Sequence, residues 1–291
     1  MAGSSGLIGR ALTAALRKDG HDVRCLVRRA PTAGDEIRWD PAQPLDPANL
    51  AGVEAAVNLA GAGVGDKRWT LAYKRVLIDS RLRATHTLAT ALAALEPKPS
   101  VLINASAIGY YGEGGEEILD ENSPAGSDFL AQLCVRWEAA ATPAEVAGIR
   151  VVRARTGLVV AAAGGAWGRM FPLFKLGLGG KLGSGRQWWS PISLADEVRA
   201  LQFLLTAPVS GPVNLTGPEQ MTNAGVTAVM GRVLHRPTVL PAPALGLRLA
   251  LGEFAGEPLR SQRVAPQALL AAGFTFTHPT VESAIRAASA A

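Results

Sequence analysis

The sequence predicts an α/β fold: a Rossmann-type, doubly wound parallel sheet with a smaller, mostly helical C-terminal domain on the substrate side. Three observations support this prediction. The chain opens on a glycine-rich turn that leads into a helical stretch, and apolar strand-like stretches then alternate with helical ones through the first half. The second half is richer in glycine, aromatic residues and helical stretches. Such alternation is typical of parallel sheets covered by helices on both faces.

The first element is the glycine-rich turn. Gly3, Gly6 and Gly9 are spaced by three residues and precede a helical stretch over 10–18. The first glycine permits a tight turn, the second lets backbone N–H groups approach a pyrophosphate, and the third lets the helix pack closely on a strand. The helix N-terminus adds partial positive charge. The alternative is a flexible N-terminal leader. The predicted cofactor contacts are Gly3, Ser4, Ser5, Gly6, Leu7, Ile8 and Gly9.

The second element is a strand over 23–27, followed by two arginines. In a dinucleotide fold the residue that ends this strand meets the adenosine ribose. An acidic residue there binds the 2′-hydroxyl of NAD, whereas an arginine suits the 2′-phosphate of NADP(H). We therefore predict NADP(H) rather than NAD, bound chiefly by Arg28 with Val27 and Arg29 beside it. The alternative is that both arginines merely solvate the strand end.

The strand that normally precedes such a glycine turn is mostly absent, because only Met1 and Ala2 come before it. A strand usually has about 5–6 residues. We expect that the recorded start codon lies downstream of the true one.

The rest of the chain divides into two predicted domains. Residues 1–165 form the dinucleotide-binding domain, to which 190–222 return, and residues 166–189 with 223–291 form the smaller domain. A buried strand is predicted over 55–61, and Leu59, Ala60 and Gly61 form its C-terminal end, where a backbone can lie flat against a nucleotide. Further strands are predicted at 37–40, 101–107, 151–155 and 213–216, and helices at 69–95, 125–141 and from 194 onward.

Composition limits the class of protein. The 291 residues are 48% hydrophobic, 18% charged and carry a net charge of +5 that is spread along the chain, so nucleic acid is not an expected partner. Two cysteines and four scattered histidines give no metal-ligand spacing. No stretch of the roughly 20 apolar residues of a membrane helix is present. We expect a cytoplasmic protein with an unidentified small-molecule substrate, and the oligomeric state stays open.

Several motifs together carry a family resemblance. They are Gly3/Gly6/Gly9, the segments 58–61, 68–69, 79–81, 106–112, 128–130, 137–138, 155–159 and 177–188, Asn214-Leu215-Thr216, and the C-terminal segments 240–243, 252–253, 263–266 and 273–276. With these the chain resembles the extended short-chain dehydrogenase/reductase superfamily, in its nucleotide-sugar epimerase/dehydratase branch. It resembles more closely an atypical subgroup, the "epimerase family proteins", which carry a small C-terminal domain of unknown function.

The resemblance implies a nicotinamide nucleotide bound by the glycine turn, Arg28, Leu59-Ala60, Arg81 and Arg155. Arg81 falls on the long predicted helix and Arg155 at a strand end. The alternatives are a surface ion pair for Arg81 and a solvated charge for Arg155.

The catalytic residues of the superfamily are missing. A working member uses a tyrosine as general acid/base and a lysine four residues later. Taking Glu138 as the anchor, the corresponding positions here are Leu130 and Cys134. The usual serine position falls on Ala107, with Ser106 one residue away.

Three substitutes for these residues are conceivable. Ser106, with Tyr110 or Tyr111, would form a pair of hydrogen-bond donors at the reactive end of the cofactor. Ser106 would also contact the cofactor there. The alternative is that all three residues have only a structural role. Cys134 would act as a nucleophile; the alternative is that it is only a small buried side chain. Asp196-Glu197 would supply a general base; the alternative is that both are only charges that cap the helix.

The subgroup also usually carries a Trp-Ile-His segment where this chain has Ser190-Pro191-Ile192-Ser193. Two functions remain open. The first is an NADP(H)-binding oxidoreductase or epimerase-like protein with an atypical active site and unknown substrate. The alternative is a non-catalytic NADP(H) sensor or regulator, for example one related to cell division.

Overall fold

The central feature of the fold is a parallel sheet that places the glycine turn at its middle. The computed structural model describes residues 1–290. The strands of this sheet are β1 Cys25–Val27, β2 Glu36–Arg38, β3 Ala55–Asn58, β4 Val101–Ala107, β6 Arg150–Thr156 and β10 Gly211–Leu215. They lie in the order β2, β1, Ala2, β3, β4, β6, β10, and Ala2 bridges Leu26 of β1 and Asn58 of β3. The predicted doubly wound α/β fold is confirmed, with its switch point beside residue 2.

Helices cover both faces of this sheet. The eleven α-helices of the described residues are α1 Leu7–Lys18, α2 Leu71–Ala93, α3 Phe129–Ala139, α4 Thr142–Val146, α5 Gly165–Lys175, α6 Leu194–Thr206, α7 Asn223–Leu234, α8 Ala244–Leu251, α9 Gly256–Leu259, α10 Gln267–Ala271 and α11 Val281–Ala290. Helices α1 and α6 pack on one face, where Leu12 and Leu201 meet Val152. Helices α2 and α4 cover the other, where Leu88 meets Val151. None of these helices, in the part of the chain described, is long and apolar enough to cross a membrane.

Alternation along the strands decides which side chain faces which layer. In β6, Val152 and Ala154 belong to the core beneath α1 and α6, whereas Val151 belongs to the core beneath α2 and α4. Because successive strand residues point to opposite faces, Arg155 faces the second layer and Thr156 the first. The strand therefore ends by presenting polar side chains to both faces.

The smaller, mostly helical region has its own core. Trp167 and Phe171 of α5, Met230 of α7 and Ile285 of α11 are buried together. Two short strand pairs tie this region to the sheet domain: β5 Ile118–Leu119 with β12 Arg263–Val264, and β8 Trp188–Trp189 with β11 Met221–Thr222. A third pair, β7 Leu158–Val160 with β9 Pro191–Ser193, joins two segments assigned to the sheet domain. The exact domain boundaries stay a prediction.

The C-terminal region also closes over the start of α2. The Phe254 ring lies 5.7 Å from the Trp69 ring, and Lys74 forms an ion pair of 2.6 Å with Glu253. Arg68 donates to the Leu249 carbonyl at 2.7 Å. These contacts join the C-terminal region to the start of α2. Ligands of open α/β sheets bind in a crevice outside the carboxyl ends of the strands, and that position is called the cleft below.

Candidate functional site

The three glycines of the opening turn have different surroundings. A Cβ added to Gly3, which has φ +78°, would lie 2.5 Å from the Leu59 carbonyl carbon. One added to Gly9 would lie 2.1 Å from the Gly3 carbonyl oxygen. One added to Gly6 would meet only that same oxygen, at 3.4 Å. The first and third glycines therefore permit close backbone packing, and the second leaves open space.

The third glycine packs against the residues that follow the strand position of Ala2. The atoms nearest to an added Cβ belong to Gly3 and Ser4, and the prediction that this glycine lets the helix approach a strand stays a prediction. Helix α1 packs on the turn itself. Ser5 and Gly6 are exposed, and Leu7 and Ile8 are half-buried at the helix start. Gly6 is the N-cap, and it offers no side chain that would block the first N–H groups of α1 from a ligand.

The two arginines after β1 are not equivalent. Both Nη atoms of Arg29 donate hydrogen bonds to the Glu36 carboxylate, Nη1 to Oε2 at 2.8 Å. This pairing lowers the pKa of Glu36 to about 2. Arg28 is exposed, and within residues 1–290 its side chain has no hydrogen-bond or ion-pair partner. Val27 ends the strand and is half-buried. Arg28 is thus the guanidinium left available at this strand end.

Arg81 lies between the loop after β3 and helix α3. A Cβ on Gly61 would be 3.2 Å from its Cζ, and its guanidinium sits 4.9 Å from the Trp137 ring centre. Its Nη1 donates only to the Leu77 carbonyl, at 3.2 Å, and burial lowers the pKa of Arg81. Among the described residues no carboxylate pairs with it, so the alternative of a surface ion pair was wrong. A guanidinium in this state suits an anionic ligand.

Arg155 is the centre of a buried polar network. Its Nε donates to Glu138 Oε1 at 2.8 Å and its Nη2 to Glu138 Oε2 at 3.0 Å. Ser106 Oγ donates to the same Oε1 at 2.7 Å. Arg155 is only 3% exposed, so the alternative of a solvated charge at the strand end was wrong. Strands β4 and β6 and helix α3 each supply one member of this cluster.

The two tyrosines complete the network. Tyr111 Oη accepts from Arg155 Nη1 at 3.0 Å and donates to Asn214 Oδ1 at 2.7 Å. The Tyr110 ring stacks on the Arg155 guanidinium at 3.4 Å. Burial raises the pKa of Tyr111 to about 12, so its phenol stays protonated near neutral pH. The catalytic roles of Ser106, Tyr110 and Tyr111 stay predictions.

The positions of the missing catalytic pair are occupied by packing residues. Leu130 is buried against Tyr73, Leu77 and Leu133. Cys134 is 4% exposed, and burial raises the pKa of its thiol to about 12. Neither side chain can exchange a proton in the way that a tyrosine and lysine pair does.

The two acidic residues at the start of α6 have separate environments. Asp196 accepts from the N–H groups of Thr277 and His278, both at 2.8 Å, and from Ser193 Oγ at 3.0 Å. Glu197 is fully buried and accepts from Thr156 Oγ1 at 2.8 Å. The N-cap of α6 is Ser193, whose Oγ accepts from the N–H of Asp196, and among the described residues neither carboxylate accepts from an N–H of α6. Capping by a hydrogen bond therefore describes neither acidic residue.

The segment in which the subgroup carries a histidine has none in this chain, but a histidine from elsewhere in the sequence contacts it. Ser193 ends β9, and the Nδ1 atom of His278 lies 3.0 Å from its Oγ. His278 precedes α11 and is distant in sequence from β9. No local pattern links residues so far apart, so neither this contact nor the roles of Glu138 and Thr156 could be predicted from the sequence.

Comparison with known proteins agrees with the fold. The family described as the NAD dependent epimerase/dehydratase family matches residues 1–221, and a domain of unknown function, DUF1731, matches residues 242–288. An epimerase family protein of Mycobacterium bovis is 53% identical over 288 residues, covering 98% of this chain and 95% of its own. The epimerase family protein SDR39U1 of Bos taurus is 37% identical over 291 residues, with coverage of 98% and 97%.

A solved structure extends this similarity to three dimensions. The crystal structure of human epimerase family protein SDR39U1 (isoform 2) with NADPH matches with a TM-score of 0.91 and 32% identity. The match covers 99% of this chain and 98% of the human one. The resemblance inferred from the motifs is confirmed, and the chain belongs to the NAD dependent epimerase/dehydratase family.

Proposed function

We propose that this chain is an NADP(H)-binding, oxidoreductase- or epimerase-like protein whose active site works without the tyrosine and lysine pair. The observation that carries the proposal is the contrast between Arg28 and Arg29. Glu36 holds Arg29, whereas Arg28 has no partner among residues 1–290 and extends from the end of β1. A free guanidinium at that position suits a 2′-phosphate. The human relative crystallised with NADPH supports the same cofactor.

The remaining predicted contacts lie along one edge of the sheet. The glycine turn and the N-terminus of α1 would receive the pyrophosphate. Leu59, Ala60 and Gly61 would line the path toward the reactive end, and the partly desolvated Arg81 would offer a positive charge there. NAD fits less well, because β1 is followed by two arginines, and Glu36, an acidic residue that contacts the second of them, is engaged by Arg29.

The chemistry at the reactive end would differ from that of the superfamily. Tyr111 donates its proton to Asn214 and accepts from Arg155, so it can orient a neighbour but is poorly suited to remove a proton. Tyr110 makes no hydrogen bond through its hydroxyl within the described chain, and it is the donor that remains for a small-molecule substrate.

One observation favours the alternative, a non-catalytic sensor or regulator of NADP(H). The hydroxyl protons of Ser106 and Tyr111 are both donated to protein acceptors, Glu138 and Asn214. A polar network whose hydroxyl donors are paired within the protein makes a site rigid even when no substrate is bound. An enzyme would oxidise bound NADPH when supplied with a carbonyl compound, whereas a sensor would bind the nucleotide and leave it unchanged.

The test is calorimetric titration of NADPH, NADP⁺, NADH and NAD⁺ into the wild type and into Arg28→Asp. We expect the wild type to prefer the phosphorylated pair, and the variant to lose that preference because its carboxylate repels the 2′-phosphate. Arg136→Ser, which alters an exposed arginine on α3, is the matched control and should bind normally. Equal affinity of the wild type for NADPH and NADH would contradict the proposal.

A further inference from the structure

Glu197 is a buried carboxyl group that the site described above leaves unexplained. It lies in the first turn of α6 and is fully buried. Its Oε1 accepts from Thr156 Oγ1 at 2.8 Å, while its Oε2 is buried and has no hydrogen-bond partner among the described residues. Buried polar atoms without partners are uncommon and costly. Because Ser193 already caps the helix by accepting from the N–H of Asp196, capping does not explain Glu197.

The partner of Glu197 stands at the carboxyl edge of the sheet. Thr156 is the last residue of β6, in register with Ala107 at the end of β4 and with Leu215 at the end of β10. It shares a face with Ala154, which packs beneath α1 and α6. The Glu197–Thr156 pair therefore lies on the same side of the sheet as the helix that follows the glycine turn.

The strand order indicates which half of the cofactor would lie there. Arg28 marks the adenosine side beyond β1, and the glycine turn sits between β1 and β3. A dinucleotide bound across this switch point extends its other half over the ends of β3, β4 and β6. The nicotinamide would then approach the end of β6, where Thr156 joins Glu197 to the cleft.

We propose that Glu197, linked to the cleft by Thr156, lets the site distinguish the two redox states of the cofactor: its ionised carboxylate favours the oxidised, positively charged nicotinamide over the reduced, neutral one. The inference rests on the proposed function, because it requires NADP(H) to bind in this cleft. The physical reason is Coulomb attraction, which is strong where water is excluded.

The surroundings of Glu197 leave burial as the main influence on its ionisation. Burial raises the pKa of Glu197 to about 8, opposed only by the hydrogen bond from Thr156. Strands β4, β7 and β9, which pack against α6, carry no charged residue. Charged groups on the other neighbouring elements are Asp196 and Arg199 of α6 itself, His278 in the segment before α11, the exposed Arg10, Arg17 and Lys18 of α1, and the Arg155–Glu138 pair on the opposite face of β6.

The sign of the effect follows from that pKa. Below about pH 8 the carboxyl is neutral and has little preference between the two forms of the cofactor. Above it the carboxylate forms and attracts the oxidised ring. The ratio of the dissociation constant of NADPH to that of NADP⁺ should therefore rise with pH, by about tenfold across the transition.

The experiment measures both dissociation constants by calorimetry from about pH 6.5 to about pH 9.5. Titration of the 2′-phosphate affects both nucleotides alike, so it cancels in the ratio. We expect the rising ratio in the wild type and a flat one in Glu197→Gln, which keeps the shape and the hydrogen bond from Thr156 but cannot ionise. A flat ratio in the wild type, or the same rise in Glu197→Gln, overturns the proposal.

A second variant guards against a folding defect in the first. Thr156→Val keeps Glu197 but removes the hydrogen bond that stabilises its carboxylate, so the midpoint of the rise should move to higher pH. An unchanged midpoint argues against the pair acting together. Binding of both nucleotides with a flat ratio overturns this inference alone, whereas absence of binding at every pH overturns the proposed function as well.

Discussion

Arg155 and Glu138 form a buried, two-pronged ion pair between β6 and α3, at 2.8 Å and 3.0 Å. Each partner is nearly inaccessible, with side chains 4% and 9% exposed. Because both oxygens of Glu138 are engaged and Ser106 adds a further donor, the pair is a fixed part of the site. Its position at the carboxyl edge of the sheet makes the site depend on both charges together.

Replacing Glu138 with alanine should strongly destabilise the protein. The substitution leaves the Arg155 guanidinium buried without a counter-charge, a change that typically costs about 3–5 kcal/mol. Urea denaturation followed by circular dichroism measures the free energy of unfolding. The control is Glu145→Ala, which breaks the half-exposed pair with Arg153 and should cost about 1 kcal/mol or less. Similar losses in both variants would show that the buried pair has no special role.

Substitutions of two glycines of the opening turn should affect the free energy of unfolding and the affinity for NADPH differently. Gly9→Ala places a Cβ against the Gly3 carbonyl oxygen, so it should lower both the free energy of unfolding, by about 1–3 kcal/mol, and the affinity for NADPH. Gly6→Ala has room in the protein and should lower the free energy of unfolding by only about 1 kcal/mol or less, because alanine is a poorer N-cap than glycine, while weakening NADPH binding. Thermal melts and calorimetry measure the two effects.

An alanine at Gly34, where nothing lies within 4 Å of an added Cβ, is the control for both properties. If Gly6→Ala binds NADPH as tightly as the wild type, the pyrophosphate does not approach this turn, and the cofactor site proposed here is misplaced.

The fold was predictable from the sequence because its signals are local. The spacing of Gly3, Gly6 and Gly9 and the alternation of strands with helices need only neighbouring residues, and α3 was found with Leu130 and Cys134 in the expected positions. The site network was not predictable. Arg155 at a strand end has the pattern of a solvated charge, and only the packing of α3 against β4 and β6 buries it beside Glu138.

Both cysteines should be unreactive in the folded protein. Cys25 and Cys134 are 5% and 4% exposed, and burial raises the pKa of the Cys134 thiol to about 12, so little nucleophilic thiolate forms. A thiol reagent such as dithionitrobenzoate should label neither cysteine under native conditions and both after denaturation. Rapid native labelling of Cys134, located by mass spectrometry, would instead favour the nucleophile alternative.

The buried Glu197 should make the folded state less stable as pH rises. Its folded pKa of about 8 lies above the ordinary value of 4.5, so between these values the native state holds a proton that the unfolded chain has released. Unfolding therefore releases a proton in this window, and the free energy of unfolding falls with increasing pH. Glu257, whose pKa burial raises to about 7, contributes a slope of the same sign.

Glu197→Gln should remove the Glu197 part of that slope. Relative to the wild type, the free energy of unfolding of the variant should increase by about 4 kcal/mol between pH 5 and pH 9, while Glu257 affects both proteins alike. Using this difference between two pH values cancels any change in packing that the amide introduces. Urea denaturation at a series of pH values gives the measurement. Parallel stability curves for the two proteins would show that Glu197 is already ionised in the fold, and the charge-dependent discrimination between NADP⁺ and NADPH would then lack its switch.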